Sequence, residues 1–119
     1  MRGLLLVAHG SRRAASNDEV RKVAEQLRAR AGDRYGAVEA GFLELADPLI
    51  PDGIECLIRQ GATEVVVLPY FLSAGRHVAQ DIPAEVAPKQ AQYPDIDIRI
   101  APYLGSAEGI VELLLGLTK

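Results

Sequence analysis

The sequence predicts an α/β protein in which a four-stranded parallel sheet lies in the middle of three layers, between helices. Short apolar runs alternate along the chain with longer segments of helical periodicity, in the order βαβαβαβα. The runs are apolar on both faces, as in strands that are covered on both sides. A length of 119 residues suits one hydrophobic core, so we expect a single domain over residues 1–119.

The first strand and helix are predicted from residues 4–32. Leu4–Ala8 is a continuous apolar run, which suits a strand in the middle of a parallel sheet. Residues 16–19 have the spacing of a capping box and predict a helix start. The apolar positions that follow recur on one helical face until Gly32, which predicts the helix end.

The second unit begins with a weaker strand over residues 37–43, directly before Glu44. Asp47 and Pro48 then predict a helix start, as an N-cap and a proline in the first turn. The next helix is amphipathic, and its single cysteine, Cys56, is expected to be a small buried thiol.

The third unit contains the clearest strand, Val65–Leu68, because three successive β-branched residues favour an extended backbone. Pro69 marks its end. Residues 78–92 predict a helix that is broken by internal prolines, with Asp81 as an internal cap where it restarts.

The last strand is predicted over residues 96–100, where apolar and polar residues alternate, and we expect it at an edge of the sheet. Ser106 is then expected to cap a final helix. Its apolar positions are Ile110, Val111, Leu114 and Leu115.

The composition excludes several classes of function. A net charge of −3 provides no basic face for nucleic acid. No apolar run is long enough for a membrane span, and the apolar N-terminal stretch is too short for a secretory signal. We therefore expect a soluble cytoplasmic protein that has neither nucleic acid nor a membrane as a partner.

The only two histidines, His9 and His77, and the carboxylate Glu44 each follow a predicted strand. Because the carboxyl ends of parallel strands meet at one edge, which is where open α/β sheets bind ligands, we expect these side chains to be close together. Two imidazoles and one carboxylate bind divalent cations such as Co²⁺, Fe²⁺, Ni²⁺ or Zn²⁺ and leave coordination positions open. The sequence therefore predicts a divalent-metal site that transfers its ion or catalyses a reaction.

The same edge carries apolar and aromatic residues at strand ends, where polar loops are usual. Residues 42–45, 70–72 and 102–104 all show this pattern, which predicts a platform for a flat organic ligand. Arg12 and Arg76 are close enough in sequence to bind ligand carboxylates at its rim.

Three stretches of the chain together resemble the small sirohydrochlorin chelatases, class II chelatases that insert cobalt into a tetrapyrrole on the anaerobic cobalamin pathway. The stretches are LLLVAHGSRR from Leu4, GFLELADP from Gly41 and LPYFLSAGRHVAQDIP from Leu68. The resemblance covers nearly the whole chain and implies a chelatase-like fold with a flavodoxin-like open sheet.

The resemblance implies that His9, Glu44 and His77 bind the incoming metal ion, and that His9 or His77 accepts pyrrole protons. The metal is then a substrate, most simply Co²⁺ with Fe²⁺ or Ni²⁺ as alternatives, and no other cofactor is implied. Many family members have two similar domains, so this shorter chain is expected to act as a homodimer. Together with the strand ends, the resemblance marks these candidate substrate contacts: Ser11, Arg12, Phe42, Tyr70, Phe71, Leu72, Ser73, Arg76 and Tyr103.

Two other functions use similar residues. A histidine phosphatase also ends its first strand at a histidine, but Ala8 occupies the position of the phosphate-binding arginine. A metal carrier or sensor could use the same three ligands, although it needs no apolar platform for a macrocycle.

Overall fold

The four predicted strands form one parallel sheet with the order β2-β1-β3-β4 in the computed structural model, which describes residues 1–119. The strands are β1 (Arg2–Ala8), β2 (Ala37–Phe42), β3 (Glu64–Pro69) and β4 (Asp97–Ile100). β1 pairs with β2 on one side and β3 on the other, and β4 is at an edge. The predicted fold class is confirmed.

Each strand is followed by a helix. The helices are α1 (Ala14–Ala31), α2 (Ile50–Arg59), α3 (Ile82–Gln92) and α4 (Ile110–Gly116). A π-helical turn, His77–Asp81, leads without interruption into α3, and Pro88 lies inside α3, so the expected break at the internal prolines is wrong and the irregularity is a change from π-helical to α-helical hydrogen bonding. None of the helices has both the length and the apolar character needed to cross a membrane.

The central strands alternate their side chains between two hydrophobic clusters, one on each face of the sheet. The cluster beneath α2 and α3 includes Leu5, Val7, Val65 and Val67. The cluster beneath α1 includes Leu4, Leu6, Val66 and Phe42. Burial on both faces explains why β1 and β3 are apolar after their first residues, Arg2 and Glu64, as expected for parallel strands that are covered by helices.

Two predicted helix starts are wrong. α1 begins at Ala14, so residues 16–19 lie inside the helix, and Arg13 at the N-cap position makes no side-chain cap. α2 begins at Ile50, after an uncapped Leu49, and the proline of its first turn is Pro51.

Three further expectations about single residues are also wrong. Asp81 makes no capping hydrogen bond and binds His77 instead. Ser106 ends a 3₁₀ turn, Leu104–Ser106, and α4 begins four residues later. Cys56 is exposed, because it lies on the side of α2 that faces away from the buried Ile54 and Leu57.

α4 does not cover the sheet. Apart from the turn Leu104–Ser106 that precedes it, no element makes more than marginal contact with this helix. The radius of gyration, 14.2 Å, accordingly exceeds the roughly 13.5 Å expected for a compact domain of this length. One face of the sheet is therefore covered by α1 alone.

A polar cluster joins α2 to the C-terminal end of α3. Lys89 donates to Glu55 at 2.7 Å, and the Tyr93 hydroxyl lies 2.7 and 2.8 Å from its two carboxylate oxygens. The hydrogen bonds from Lys89 and Tyr93 lower the pKa of Glu55 from 4.5 to about 2. The hydrogen bond that Tyr93 donates to Glu55 in turn raises the pKa of Tyr93.

These contacts predict an acid-sensitive contribution to stability. The folded-state pKa of Glu55 is below its unfolded value, so its contribution is complete above about pH 4.5 and is lost as the pH falls towards about 2. Urea unfolding of Glu55→Gln at neutral pH should therefore show a lower midpoint than wild type, with a smaller difference near pH 3. Glu19→Gln, at an exposed position of α1, is the control, and a pH-independent difference for Glu55→Gln would contradict the interpretation.

Candidate functional site

The loops that follow β1 and β2 are held against each other by their backbones. The Leu43 amide donates to the Ala8 carbonyl at 3.0 Å, and the Glu44 amide donates to the His9 carbonyl at 3.1 Å. Gly10 has a φ of +96°, and a Cβ at this position would overlap the Glu44 carbonyl oxygen. Only glycine allows this approach, which places His9 beside Glu44.

Asn17 fixes the other end of the loop after β1. Its side chain accepts from the Ser11 amide at 2.9 Å and donates to the Ser11 carbonyl at 2.8 Å. Asn17 is the one buried polar residue of the chain, and both ends of its amide are satisfied, as burial requires. Asn17 thus ties the loop that carries His9 to the first turns of α1.

His9 and Glu44 face each other, with 3.6 Å between Nε2 and Oε1. The Gly10 carbonyl lies 3.1 Å from Nδ1 of His9, and because a carbonyl only accepts, Nδ1 carries the proton in a neutral ring. Nε2 then presents a lone pair towards a carboxylate. The Nε2 lone pair of His9 and the Glu44 carboxylate both attract a cation placed between them.

His77 is the first residue of the π-helical turn, and its ring centroid is 4.6 Å from that of His9. Its Nδ1 lies 2.8 Å from Oδ2 of Asp81, one helical turn later. The carboxylate keeps a proton on Nδ1 and leaves Nε2 available for a ligand, as outer-sphere carboxylates do for metal-binding histidines. In both histidines, therefore, Nε2 is the nitrogen that can bind a metal ion.

A cleft of about 200 Å³ contains all three predicted metal ligands. Its walls are formed by His9, Leu43, Glu44, His77, Asp81, Ala84 and Glu85. The three carboxylates and the absence of a basic residue favour a cation. No group of three His, Cys, Asp or Glu side chains is close enough to hold a metal ion as the side chains stand, so the predicted ligands are neighbours rather than a preformed ligand set.

The candidate substrate contacts divide into several environments. Phe42 is fully buried beneath the Arg21 guanidinium, so the expectation that it touches a substrate is wrong. Phe71 is half-buried, and its ring centroid is 6.3 Å from that of His77. Ser11 is half-buried and bound to Asn17, as described above. The remaining loop candidates are exposed: Arg12, Leu72, Ser73 and Arg76.

Tyr70 and Tyr103 lie in a different cavity from the histidines. They line a groove of about 510 Å³ on the α1 side of the sheet, together with Leu6, Val23 and Leu104. The apolar platform expected beside the metal ligands is thus divided between two surfaces.

Two residues that hold this site in place were missed by the sequence interpretation. The sequence predicts Asp81 as a cap, although its spacing of four residues from His77 in a helical segment also indicates a side-chain pair. It places Asn17 within a capping box. No local pattern identifies its bonds to Ser11, because they depend on how the loop after β1 folds back.

The family model for CbiX matches residues 3–118 of the chain. A sirohydrochlorin cobaltochelatase of Saccharolobus islandicus is 38% identical over 122 residues, which cover 97% of this chain and 91% of the relative. The chloroplastic sirohydrochlorin ferrochelatase of Arabidopsis thaliana is 38% identical over 103 residues, which cover 87% of this chain and 45% of the relative. Relatives that differ in length and in the metal of their names are thus similar to this chain.

Among solved structures, the sirohydrochlorin chelatase SirB from Bacillus subtilis subspecies spizizenii, in complex with cobalt, superimposes with a TM-score of 0.88. The two sequences are 32% identical, and the match covers 98% of this chain and 49% of that one. This chain spans about half the length of several curated relatives, 45% and 56% in two cases.

The close approach at Gly10 predicts how its substitution will act. Gly61 also has a left-handed φ, +108°, but has open space where a Cβ would be placed, so Gly61→Ala should cost only the backbone strain of about 1–2 kcal/mol. Gly10→Ala should lower the free energy of unfolding by more than that, because it adds a clash with the Glu44 backbone. Equal urea-unfolding midpoints for the two variants would show that the two loops can separate at no cost.

Proposed function

The chain belongs to the CbiX family, and from that premise we propose that it inserts a divalent metal ion into sirohydrochlorin. The observation that carries the proposal is the position of His9, Glu44 and His77 around one acidic cleft, with the hydrogen bonds of both imidazoles made through Nδ1. The names of relatives from both cobalt and iron pathways support the macrocycle as substrate.

In this reaction the ion binds first to the cleft and then to the macrocycle. The ligands neutralise the charge of the cation while leaving coordination positions open for the pyrrole nitrogens. Two pyrrole protons must leave as the divalent ion enters. A histidine that has released the ion has a free Nε2 lone pair and can accept one of them, and water takes up the other.

The metal ion is a substrate in this proposal, and no organic cofactor takes part. We favour Co²⁺, because the relative matched over 91% of its own length is named a cobaltochelatase. Affinity rises from Fe²⁺ through Co²⁺ to Ni²⁺ for most nitrogen and oxygen ligand sets. Binding strength alone therefore does not identify the physiological ion, and insertion rates have to be compared.

We also propose a cytoplasmic homodimer. The cleft beside the histidines is small, about 200 Å³, and the loop residues next to it are exposed, among them Leu72 at 74%. A tetrapyrrole placed over His9 and His77 would have protein on one side only. A second copy facing this edge would exclude water from the other side and supply further arginines for the ligand's carboxylates.

The central test is an insertion assay with purified protein. Sirohydrochlorin is mixed with Co²⁺, Fe²⁺ or Ni²⁺, and the absorbance change is followed with and without protein. We expect acceleration by wild type and by the off-site variant Glu19→Gln, and a loss of about 10²-fold or more in His9→Ala and His77→Ala. Cobalt binding without any acceleration would favour a metal carrier over a chelatase.

A second test addresses Asp81 as the positioning residue of His77. Asp81→Ala should lower the affinity for Co²⁺ by about 10–100-fold, while Asp81→Asn, whose side-chain oxygen still accepts from Nδ1, should lose less. Glu85→Gln is the matched control, since Glu85 lines the same cleft but makes no hydrogen bond to either imidazole. Titration by cobalt absorbance, with melting temperatures measured in parallel, separates loss of orientation from unfolding, and equal affinities for Asp81→Ala and wild type would contradict the role.

A further inference from the structure

The loop after β3 and the turn after β4 touch through their backbones, as the loops after β1 and β2 do at Gly10. The Gly105 amide donates to the Phe71 carbonyl at 3.0 Å, and a Cβ at Gly105 would overlap the Leu72 carbonyl oxygen. Gly105 does not have a left-handed φ, so glycine is required here for space alone. The bond from Gly105 is the only backbone hydrogen bond that residues 71–73 make.

The turn that presents Gly105 is fixed by its own hydrogen bonds. The hydroxyl and the amide of Ser106 both donate to the Tyr103 carbonyl, at 2.6 and 3.0 Å. The Ala107 amide donates to the Leu104 carbonyl at 3.0 Å. The turn is therefore held from within, whereas the loop after β3 is held by the turn.

The loop after β3 carries two candidate contacts for the macrocycle and leads to His77. Phe71 packs against the hydrophobic cluster beneath α2 and α3, and its ring centroid is 6.3 Å from that of His77. Leu72 is exposed, and a large apolar side chain that is exposed beside a candidate site favours contact with a ligand. His77 itself has a separate support, because its Nδ1 is bound to Asp81. The contact at Gly105 therefore acts on the macrocycle side of the site.

We propose that Gly105 is a positioning residue for the macrocycle, because its contact with the loop after β3 holds Phe71 and Leu72 in place to receive sirohydrochlorin. This inference rests on the proposed insertion reaction and assigns a role in it to a residue outside the acidic cleft. The strand order puts the loops after β2 and β1 on one side of the site and those after β3 and β4 on the other. Gly10 joins the first pair of loops, and Gly105 joins the second.

The first test replaces Gly105 with alanine, which forces the turn away from the loop. Gly105→Ala should raise the KM for sirohydrochlorin about tenfold, because side chains of the loop would then have to be ordered on binding. Both kcat and the affinity for Co²⁺ should stay within about twofold of wild type, because a loss of uniform binding changes KM alone and His77 keeps its bond to Asp81. Gly109→Ala is the matched control, since a Cβ at Gly109 has open space, and all three values should be unchanged.

Hydrogen exchange in the wild-type protein follows the same contact and keeps the proposal testable if Gly105→Ala does not fold. The Gly105 amide reports the contact with the loop, and the Ser106 amide, which is bonded within the turn, reports the turn itself. Sirohydrochlorin should slow exchange at Gly105 more than at Ser106, because a bound macrocycle holds the loop against the turn and suppresses local opening. Co²⁺ alone should not change exchange at either amide.

The outcomes separate this inference from the proposed function. An unchanged KM for a folded Gly105→Ala, or equal slowing of exchange at Gly105 and Ser106, would overturn the inference and leave the proposed function intact. A loss of Co²⁺ affinity without a rise in KM would also overturn it, since the contact would then serve the metal ligands. Wild-type protein that does not accelerate insertion would refute the proposed function, and exchange with sirohydrochlorin would still decide whether Gly105 positions the loop for the macrocycle.

Discussion

The candidate site depends on the contact between the backbone of Gly10 and that of Glu44. Parallel pairing of β1 with β2 brings the two strand ends to one edge, but it does not by itself bring their loops into contact. The absence of a side chain at Gly10 lets the Glu44 carbonyl occupy the space where a Cβ would be. His9, which precedes Gly10, and Glu44 consequently line the same cleft. The hydrogen bonds between Asn17 and Ser11 hold the loop after β1 in place.

The sequence was sufficient for the sheet, because burial on both faces leaves a strong pattern. β1 and β3 have no polar face, and an amphipathic α2 places Ile50, Ile54 and Leu57 in the core. Helix starts were predicted less well. Asn17, Asp81 and Ser106 belong to residue types that cap helices, yet their side chains bond to a loop amide and carbonyl, an imidazole and the Tyr103 carbonyl respectively, because tertiary structure brings these groups within reach.

The histidines of the site could be found from sequence because rare residues at strand ends converge in a parallel sheet. The apolar contacts could not be divided correctly by the same reasoning. Phe42, the last residue of β2, is buried beneath α1, and Tyr70 and Tyr103 line the groove on that same side of the sheet, whereas Phe71 lies near His77. Position along the chain identifies the edge, but the pleat of each strand decides which face a side chain joins.

The isolation of α4 links folding to association. Only 25 of the 119 residues are buried, which is a small core for a chain that also exposes an apolar helix and a groove of the same character. An intermolecular contact that covers both surfaces would add to the hydrophobic stabilisation of the folded chain, and stability would then depend on protein concentration as well as on sequence. The acidic cleft has the opposite character, since its charged groups are stabilised by water or by a bound cation. The sheet thus separates its two surfaces by chemistry: the edge with the histidines suits an ion, and the face beside α1 suits another helix.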